Sequence, residues 1–202
     1  IAVGVAPLPA AACQSGEWGE CEHPRVQHYI DHLTQPSWRS WLHGVWERSS
    51  FYSDHIAVTL DRHGLPEALR MLPVVESAYR PEAVSPRGAV GLWQITPMGA
   101  SGYPLIIGDP IDERRDFWKA TEVALHILSV NYRRFDDWLL AIAAYNAGPT
   151  GVARAIKRAG VSDFWKLRSS GELPRQTSEF VPRVLVMTHI FAHAERYGLS
   201  PI

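Results

Sequence analysis

An all-α fold with one minor β or irregular excursion is predicted by three features of this sequence. Apolar residues recur at three- and four-residue spacing along most of the chain, the signature of helix faces. Proline, aspartate and glycine stand where such helices would begin and end. Glycine and proline signals then gather between residues 80 and 115, where the excursion belongs. The 202 residues are 46% hydrophobic and 20% charged, enough for one substantial core. No internal repeat is visible, and no linker-like boundary follows the first two dozen residues. The expected organisation is an extended arm over 1–23 and one domain over 24–202.

The arm is rich in alanine, glycine and proline and has little periodicity. Pro24 opens a short helix through Tyr29 and Leu33. Pro36 and Ser37 open a longer one. Trp38, Trp41, Leu42, Val45, Tyr52, Ile56 and Leu60 line one face of it, and Gly64 stops it. The next helix starts at Leu65-Pro66 and runs toward Glu76. Pro73 must kink or restart it, having no N–H to donate. Residues 80–91 read as a loop or a hairpin of short strands around Ala89-Val90. Residues 95–100 suggest one helical turn, and 101–115 are irregular. A long helix follows over 116–135, with Phe117, Thr121, Ala124, Leu128 and Tyr132 on one face. Asp136-Asp137 caps a helix over 138–146 that is apolar almost all round, hence central. Ala147-Gly148-Pro149 breaks it. A helix over 149–159 ends at Gly160, a short turn covers 163–167, and 168–177 read as a polar loop. The last helix is expected over 178–197.

Composition narrows the function. A net charge of -1 argues against nucleic-acid binding. Arg114-Arg115 and Arg133-Arg134 read as solvated helix ends. Most of the eight tryptophans belong in the core, while one or two in a groove would suit a saccharide. Cys13 and Cys21 stand alone near the amino end. They could form a disulfide in an oxidising compartment, the preferred reading. Alternatively Leu8 to Cys13 is the edge of a lipoprotein signal, or both thiols are free. No run of about 18 apolar residues exists to span a membrane. Any signal peptide or anchor is expected outside this sequence or at its amino end. His189 and His193 have metal-ligand spacing, but no glutamate follows His189 to make a zinc-protease motif. They read as solvent-facing, as do His28 and His32. Neither a metal nor a cofactor is expected, and no phosphate loop or Ser/His/Asp motif appears.

One acid stands out. Leu72-Pro73-Val74-Val75-Glu76-Ser77-Ala78-Tyr79 sets a carboxyl at the end of an apolar run, where desolvation would raise its pKa. The glycine-punctuated segment to Gln94 follows. Farther on, Ala143-Ala144-Tyr145-Asn146-Ala147-Gly148 places a tyrosine and an asparagine at the end of an apolar helix. A buried tyrosine hydroxyl wants a partner, and Glu76 is one possibility; taken alone, Tyr145 reads equally well as core.

Glu76-Ser77, Gly91-Leu92-Trp93-Gln94 and Ala144-Tyr145-Asn146-Ala147-Gly148, in that order, resemble the family 1 lytic transglycosylases. The Gly-Leu-Trp-Gln form resembles the membrane-bound type D subfamily. Asp112-Glu113-Arg114, Leu173-Pro174 and Val181-Pro182-Arg183 extend the likeness over about residues 65–195. Gln176 departs from an expected glutamate, and Met98-Gly99 from a residue-threonine pair. The resemblance implies a lysozyme-like helical catalytic domain over 24–202 with a substrate groove. It implies Glu76 as the sole catalytic acid and base, Ser85 against the reacting muramoyl residue, and Gln94 in the groove. Tyr145 would orient the acid or the sugar, Asn146 would support that wall, and Ser77 would be structural. The implied reaction cleaves the bond from N-acetylmuramic acid to N-acetylglucosamine without water and leaves 1,6-anhydro ends. The rivals are a hydrolytic goose-type lysozyme and a non-catalytic wall-binding protein. The implied partner is the glycan strand of peptidoglycan. The implied setting is the periplasm or cell envelope of a bacterium, as a monomer, with lipid anchoring open.

Overall fold

The computed structural model describes residues 23–199. Cys13, Cys21 and the expected arm, His23 apart, lie outside the described residues. Nine α-helices stand among the described residues: α1 Pro24–Leu33, α2 Pro36–Ser50, α3 Ser53–Arg62, α4 Leu72–Ser77, α5 Phe117–Phe135, α6 Trp138–Ala147, α7 Pro149–Ala159, α8 Phe164–Ser169 and α9 Arg175–Ala192. Short 3-10 turns cover Glu67–Met71, Glu113–Arg115 and Ala194–Tyr197. No described helix is long and apolar enough to cross a membrane.

The helix starts follow the local chemistry. Asp116, Asp137 and Asp163 each accept a bond from a backbone N–H in the first turn of α5, α6 and α8. Prolines open α1, α2 and α7, where the missing N–H costs nothing. Pro73 restarts rather than kinks: the 3-10 turn ends at Met71 and α4 begins at Leu72. The centre is α6, whose residues from Trp138 through Ala144 are all buried. It packs on α5, α7, α8 and α9, and α9 also packs on α1 and α4.

Two element expectations are corrected, and one left open is decided. The helix expected from Pro36 to Leu60 is two, α2 and α3. Its apolar spacing runs through the break, so periodicity could not see it. The hydroxyls of Ser49, Ser50 and Ser53 bond the carbonyls of Trp46, Glu47 and Ser49, and such bonds compete with the helical ladder. The last helix begins earlier, at Arg175, and stops at Ala192. It also contains Pro182. A proline there leaves the carbonyl four residues back without its helical partner. That carbonyl, of Ser178, accepts instead from Arg168 Nε at 3.1 Å. Of the two readings of 80–91 the loop is the one found: the excursion holds isolated antiparallel bridges, Val84 to Val90 and Val90 to Ile95, rather than strands.

Arg114 is the third correction. It is not a solvated helix end: it is buried, 6% exposed, and organises the excursion. Its guanidinium donates to both Asp112 carboxylate oxygens and to the carbonyls of Gly88 and Ile95. Charge-assisted bonds of this kind fix a loop that has no ladder of its own. Gly91 lets the chain pass this hub. Its φ is +82°, and a Cβ there would lie 2.1 Å from the Arg114 carbonyl oxygen. Gly91→Ala is therefore expected to lower unfolding free energy by about 3 kcal/mol or more, from combined clash and left-handed strain. Denaturant titration checks this; a change below about 0.5 kcal/mol would refute the close approach.

Candidate active site

Glu76 sits in the last turn of α4, after the buried Leu72, Pro73 and Val74. Burial of its carboxyl raises the pKa from an ordinary 4.5 to about 8, and no other ionisable group contributes to the shift. No described side chain or backbone N–H hydrogen-bonds this carboxyl. The group is thus held protonated at neutral pH by the lack of anything to stabilise its charge.

The helix ends immediately beyond it in an unusual way. Ala78 and Tyr79 both have left-handed backbones, with φ of 52° and 57°. Neither is glycine, so each costs about 1–2 kcal/mol locally. Tertiary bonds hold them there. Arg48 Nε donates to the Ala78 carbonyl at 2.8 Å. The fully buried Tyr79 donates its hydroxyl to the Arg70 carbonyl at 2.6 Å. Ser77 fits its structural expectation: its hydroxyl donates to the Leu92 carbonyl at 2.8 Å, tying α4 to the excursion.

The next two residues complete a belt. Trp93 is fully buried, and its indole N–H donates to Thr121 on α5 at 2.9 Å. Its carbonyl accepts the Tyr145 hydroxyl, from the end of α6, at 2.7 Å. Gln94, also left-handed at φ 49°, spends its amide NH2 on the carbonyls of Ala83 and Gly91. Only its Oε1 is left to face a ligand, as an acceptor.

Tyr145 is beside Glu76. Burial, and then the Glu76 charge, push the tyrosine pKa well up. Its proton is committed to Trp93, so it has none to offer the Glu76 carboxylate. Asn146 accepts a bond from Thr177 on α9 at 2.9 Å. Gln94, Tyr145 and Asn146 all line one open groove of about 750 Å3, with Met98, Tyr103 and Arg154 among the other walls. That volume suits a ligand of several rings.

Glu76 itself is not among the residues lining this groove, which it meets through its neighbour Tyr145, and neither is Ser85. The Ser85 hydroxyl accepts from Ala89 N–H at 3.0 Å and closes the tip of the excursion, leaving its proton as the one free donor. Other carboxylates near in sequence are committed elsewhere or face water. Asp112 holds Arg114, Glu82 pairs with Arg115 at the surface, and Asp109 is exposed. His189 corrects its solvent-facing expectation. It bonds the Tyr197 hydroxyl at 3.0 Å and packs at a tilt against His193, and burial lowers its pKa. Among the described residues no cluster could hold a metal ion.

Sequence reasoning missed Thr177, Thr121 and Arg114 as parts of the site. Thr177 and Thr121 carry no signal of their own, because each acts through a partner far away in the chain. Arg114 stood in a motif beside Asp112, which was the available clue.

Fold and site together define a helical groove domain built around one desolvated acid. The chain belongs to the transglycosylase SLT domain family, which residues 56–168 match. It is 39% identical over 166 residues to the membrane-bound lytic murein transglycosylase D of Escherichia coli (strain K12), covering 80% of this chain and 36% of that protein. A putative tributyltin chloride resistance protein of Alteromonas sp. (strain M-1) is 36% identical over 126 residues, 62% of this chain and 58% of that protein. This chain therefore spans only about a third to a little over half of the length of these relatives. The X-ray structure of an inactive mutant of the lytic transglycosylase Slt from Pseudomonas aeruginosa superposes with a TM-score of 0.57 at 20% identity, over 73% of this chain and 26% of that one. The 70 kDa soluble lytic transglycosylase of Escherichia coli gives 0.57 at 19% identity, over 92% and 37%. At these identities the structural likeness is one of fold.

Two outcomes follow from the geometry. Glu76 has a folded pKa of about 8 against an ordinary 4.5, so the folded state binds its proton more tightly. That contribution to stability is complete below the lower value and is lost as pH rises through the upper one. The stability advantage of Glu76→Gln over wild type should therefore widen between these two values, by on the order of a few kcal/mol, and level off outside them. Parallel pH-dependent unfolding of the two proteins checks it; curves that stay parallel contradict the desolvated acid. Tyr145→Phe should cost about 1–2 kcal/mol by orphaning the Trp93 carbonyl, measured by thermal or denaturant unfolding.

Proposed function

We propose that this domain is a peptidoglycan lytic transglycosylase in which Glu76 is both acid and base. The observation that carries the reading is the isolation of Glu76: a protonated, desolvated carboxyl beside a groove, with no second carboxylate influencing it. Most glycosidases need two flanking carboxylates. One is enough where the substrate supplies the nucleophile.

The steps balance without water. The Glu76 carboxyl donates its proton to the glycosidic oxygen, and the bond from that oxygen to the muramoyl anomeric carbon breaks. The 2-acetamido carbonyl oxygen of the same sugar stabilises the electron-poor carbon. Glu76, now a carboxylate, takes the proton of the C6 hydroxyl as that oxygen bonds the anomeric carbon and closes the 1,6-anhydro ring. The proton is back on Glu76. A pKa near 8 suits both halves, since acid and base forms are both within reach near neutrality.

The other residues have supporting roles. Tyr145, its hydroxyl anchored on Trp93, forms the wall beside the acid and offers only lone pairs, which favours the protonated form. Gln94 presents Oε1 to a sugar N–H or hydroxyl. Asn146, braced by Thr177, leaves its amide NH2 for an acetamido or hydroxyl oxygen. Ser85 has one donor free for the muramoyl residue at the tip of the excursion. The relatives named membrane-bound and murein-acting support an envelope setting.

The rival is hydrolysis on the same fold; the isolation of Glu76, with no second carboxylate to activate a water, favours ring closure. Digestion of intact sacculi with mass spectrometry decides between them. Anhydro ends, lighter than reducing ends by one water, are expected throughout. Glu76→Gln should reduce turnover by at least about 1000-fold, as loss of an essential acid does. Reducing ends alone would overturn the transglycosylase reading, and full activity in Glu76→Gln would overturn the mechanism.

A further inference from the structure

A second concavity, of about 320 Å3, has no part in the groove described above. Its floor includes Val74 and Val75, the two residues immediately before Glu76 on α4. Glu76 lines neither concavity: it directly follows Val75 of this pocket in the chain, and it lies beside Tyr145 of the groove. Apart from those two valines, all of its lining lies outside residues 56–168, on α1, α2 and α9. The pocket is therefore made by this chain's flanking helices around the acid-bearing turn.

Its chemistry is aromatic and cationic. Trp38 and Trp41 meet edge to face at 5.8 Å, and His32 lies 5.3 Å from the Trp38 ring. Arg183 stands over the Tyr29 ring at 5.6 Å. The Tyr29 hydroxyl is pinned to Glu179, which Arg25 and Arg168 already hold. Glu179 is thus committed elsewhere, and Arg183 makes no ion pair with any described residue. An exposed guanidinium at the edge of an aromatic pocket matches a ligand with an apolar body and a carboxylate. A neutral sugar would use the rings and leave the guanidinium idle. A short acidic peptide uses both, with methyl groups on the indoles and a carboxylate on the fork.

We propose that this pocket holds the acidic peptide stem borne by the muramoyl residue of peptidoglycan, so that the enzyme reads stem and glycan from either flank of Glu76. The inference rests on the functional reading above. It makes Arg183, with Trp38 and Trp41, a determinant of preference for stem-bearing over stem-free glycan.

The test compares kcat/KM on intact sacculi and on glycan strands stripped of stems by an amidase. Arg183→Ala should lower the ratio of the two by about tenfold, the worth of one charge-assisted bond. Arg183→Lys should recover part of it, because the charge returns without the fork. A ratio unchanged from wild type, with activity lowered equally on both substrates or on neither, overturns the proposal. A second measurement does not depend on turnover. Glu76→Gln protein is titrated with a synthetic stem tetrapeptide while tryptophan fluorescence is followed. A saturable change, weakened about tenfold when Arg183→Ala is added, is expected. No saturation, or saturation indifferent to Arg183, overturns it. Should wild type give no anhydro ends on either substrate, the functional reading fails, and the peptide titration still decides the pocket.

Discussion

Two consecutive backbone carbonyls and one indole on the excursion organise the acid. The Leu92 carbonyl takes the Ser77 hydroxyl from α4, the Trp93 carbonyl takes the Tyr145 hydroxyl from α6, and the Trp93 indole reaches Thr121 on α5. One short piece of irregular chain therefore ties together the helix that carries Glu76, the helix that walls it and the long helix behind both. Trp93 is fully buried, so the tie is set in the core and cannot shift without opening it. Arg114 fixes the other end of the same segment through Gly88 and Ile95.

This arrangement explains where strain is tolerated. Four described residues hold left-handed backbones without being glycine: Asp136 ends α5, and the other three, Ala78, Tyr79 and Gln94, lie on the two segments that the Ser77–Leu92 bond ties together at the acid. Isolated, each would relax. Here Arg48, Arg70 and the carbonyls of Ala83 and Gly91 supply bonds that exist only in the strained geometry. Strain gathered around one carboxyl is what a preorganised site requires, since the positions of its walls must not depend on the ligand. The commitment of donors has a further effect. Tyr145 and Gln94 give their protons to the protein's own backbone, so neither can stabilise a Glu76 carboxylate. The surroundings keep the acid neutral by withholding partners as much as by excluding water.

Much of the fold could be read from the chain. Asp116, Asp137 and Asp163 announced the starts of α5, α6 and α8, and the all-round apolar character of 138–146 announced the centre of the domain. The family resemblance was legible from three short motifs and stands at the level of the family. Local signals failed where two of them conflicted. The face shared by Trp38 through Leu60 hid the break made by serine hydroxyls at 49, 50 and 53. At Pro182 the helical reading over 178–197 holds, because Arg168, from another helix, takes the carbonyl that the proline leaves unpaired. Arg114 looked like surface charge because a double arginine carries no mark of burial; only its partners put it inside.

The sequence alone determined the helical architecture, the acid in apolar company and the set of residues that could serve it, because caps, breaks and periodicity act over a few neighbouring residues. Tertiary structure decided what those residues can do. It raised the pKa of Glu76 by burial, left Gln94 only its acceptor oxygen, placed Tyr145 and Asn146 in the groove and left Ser85 outside it. Each of these outcomes depends on which distant group claims a proton or a lone pair. That competition is settled by three-dimensional packing, and no window of local sequence contains it.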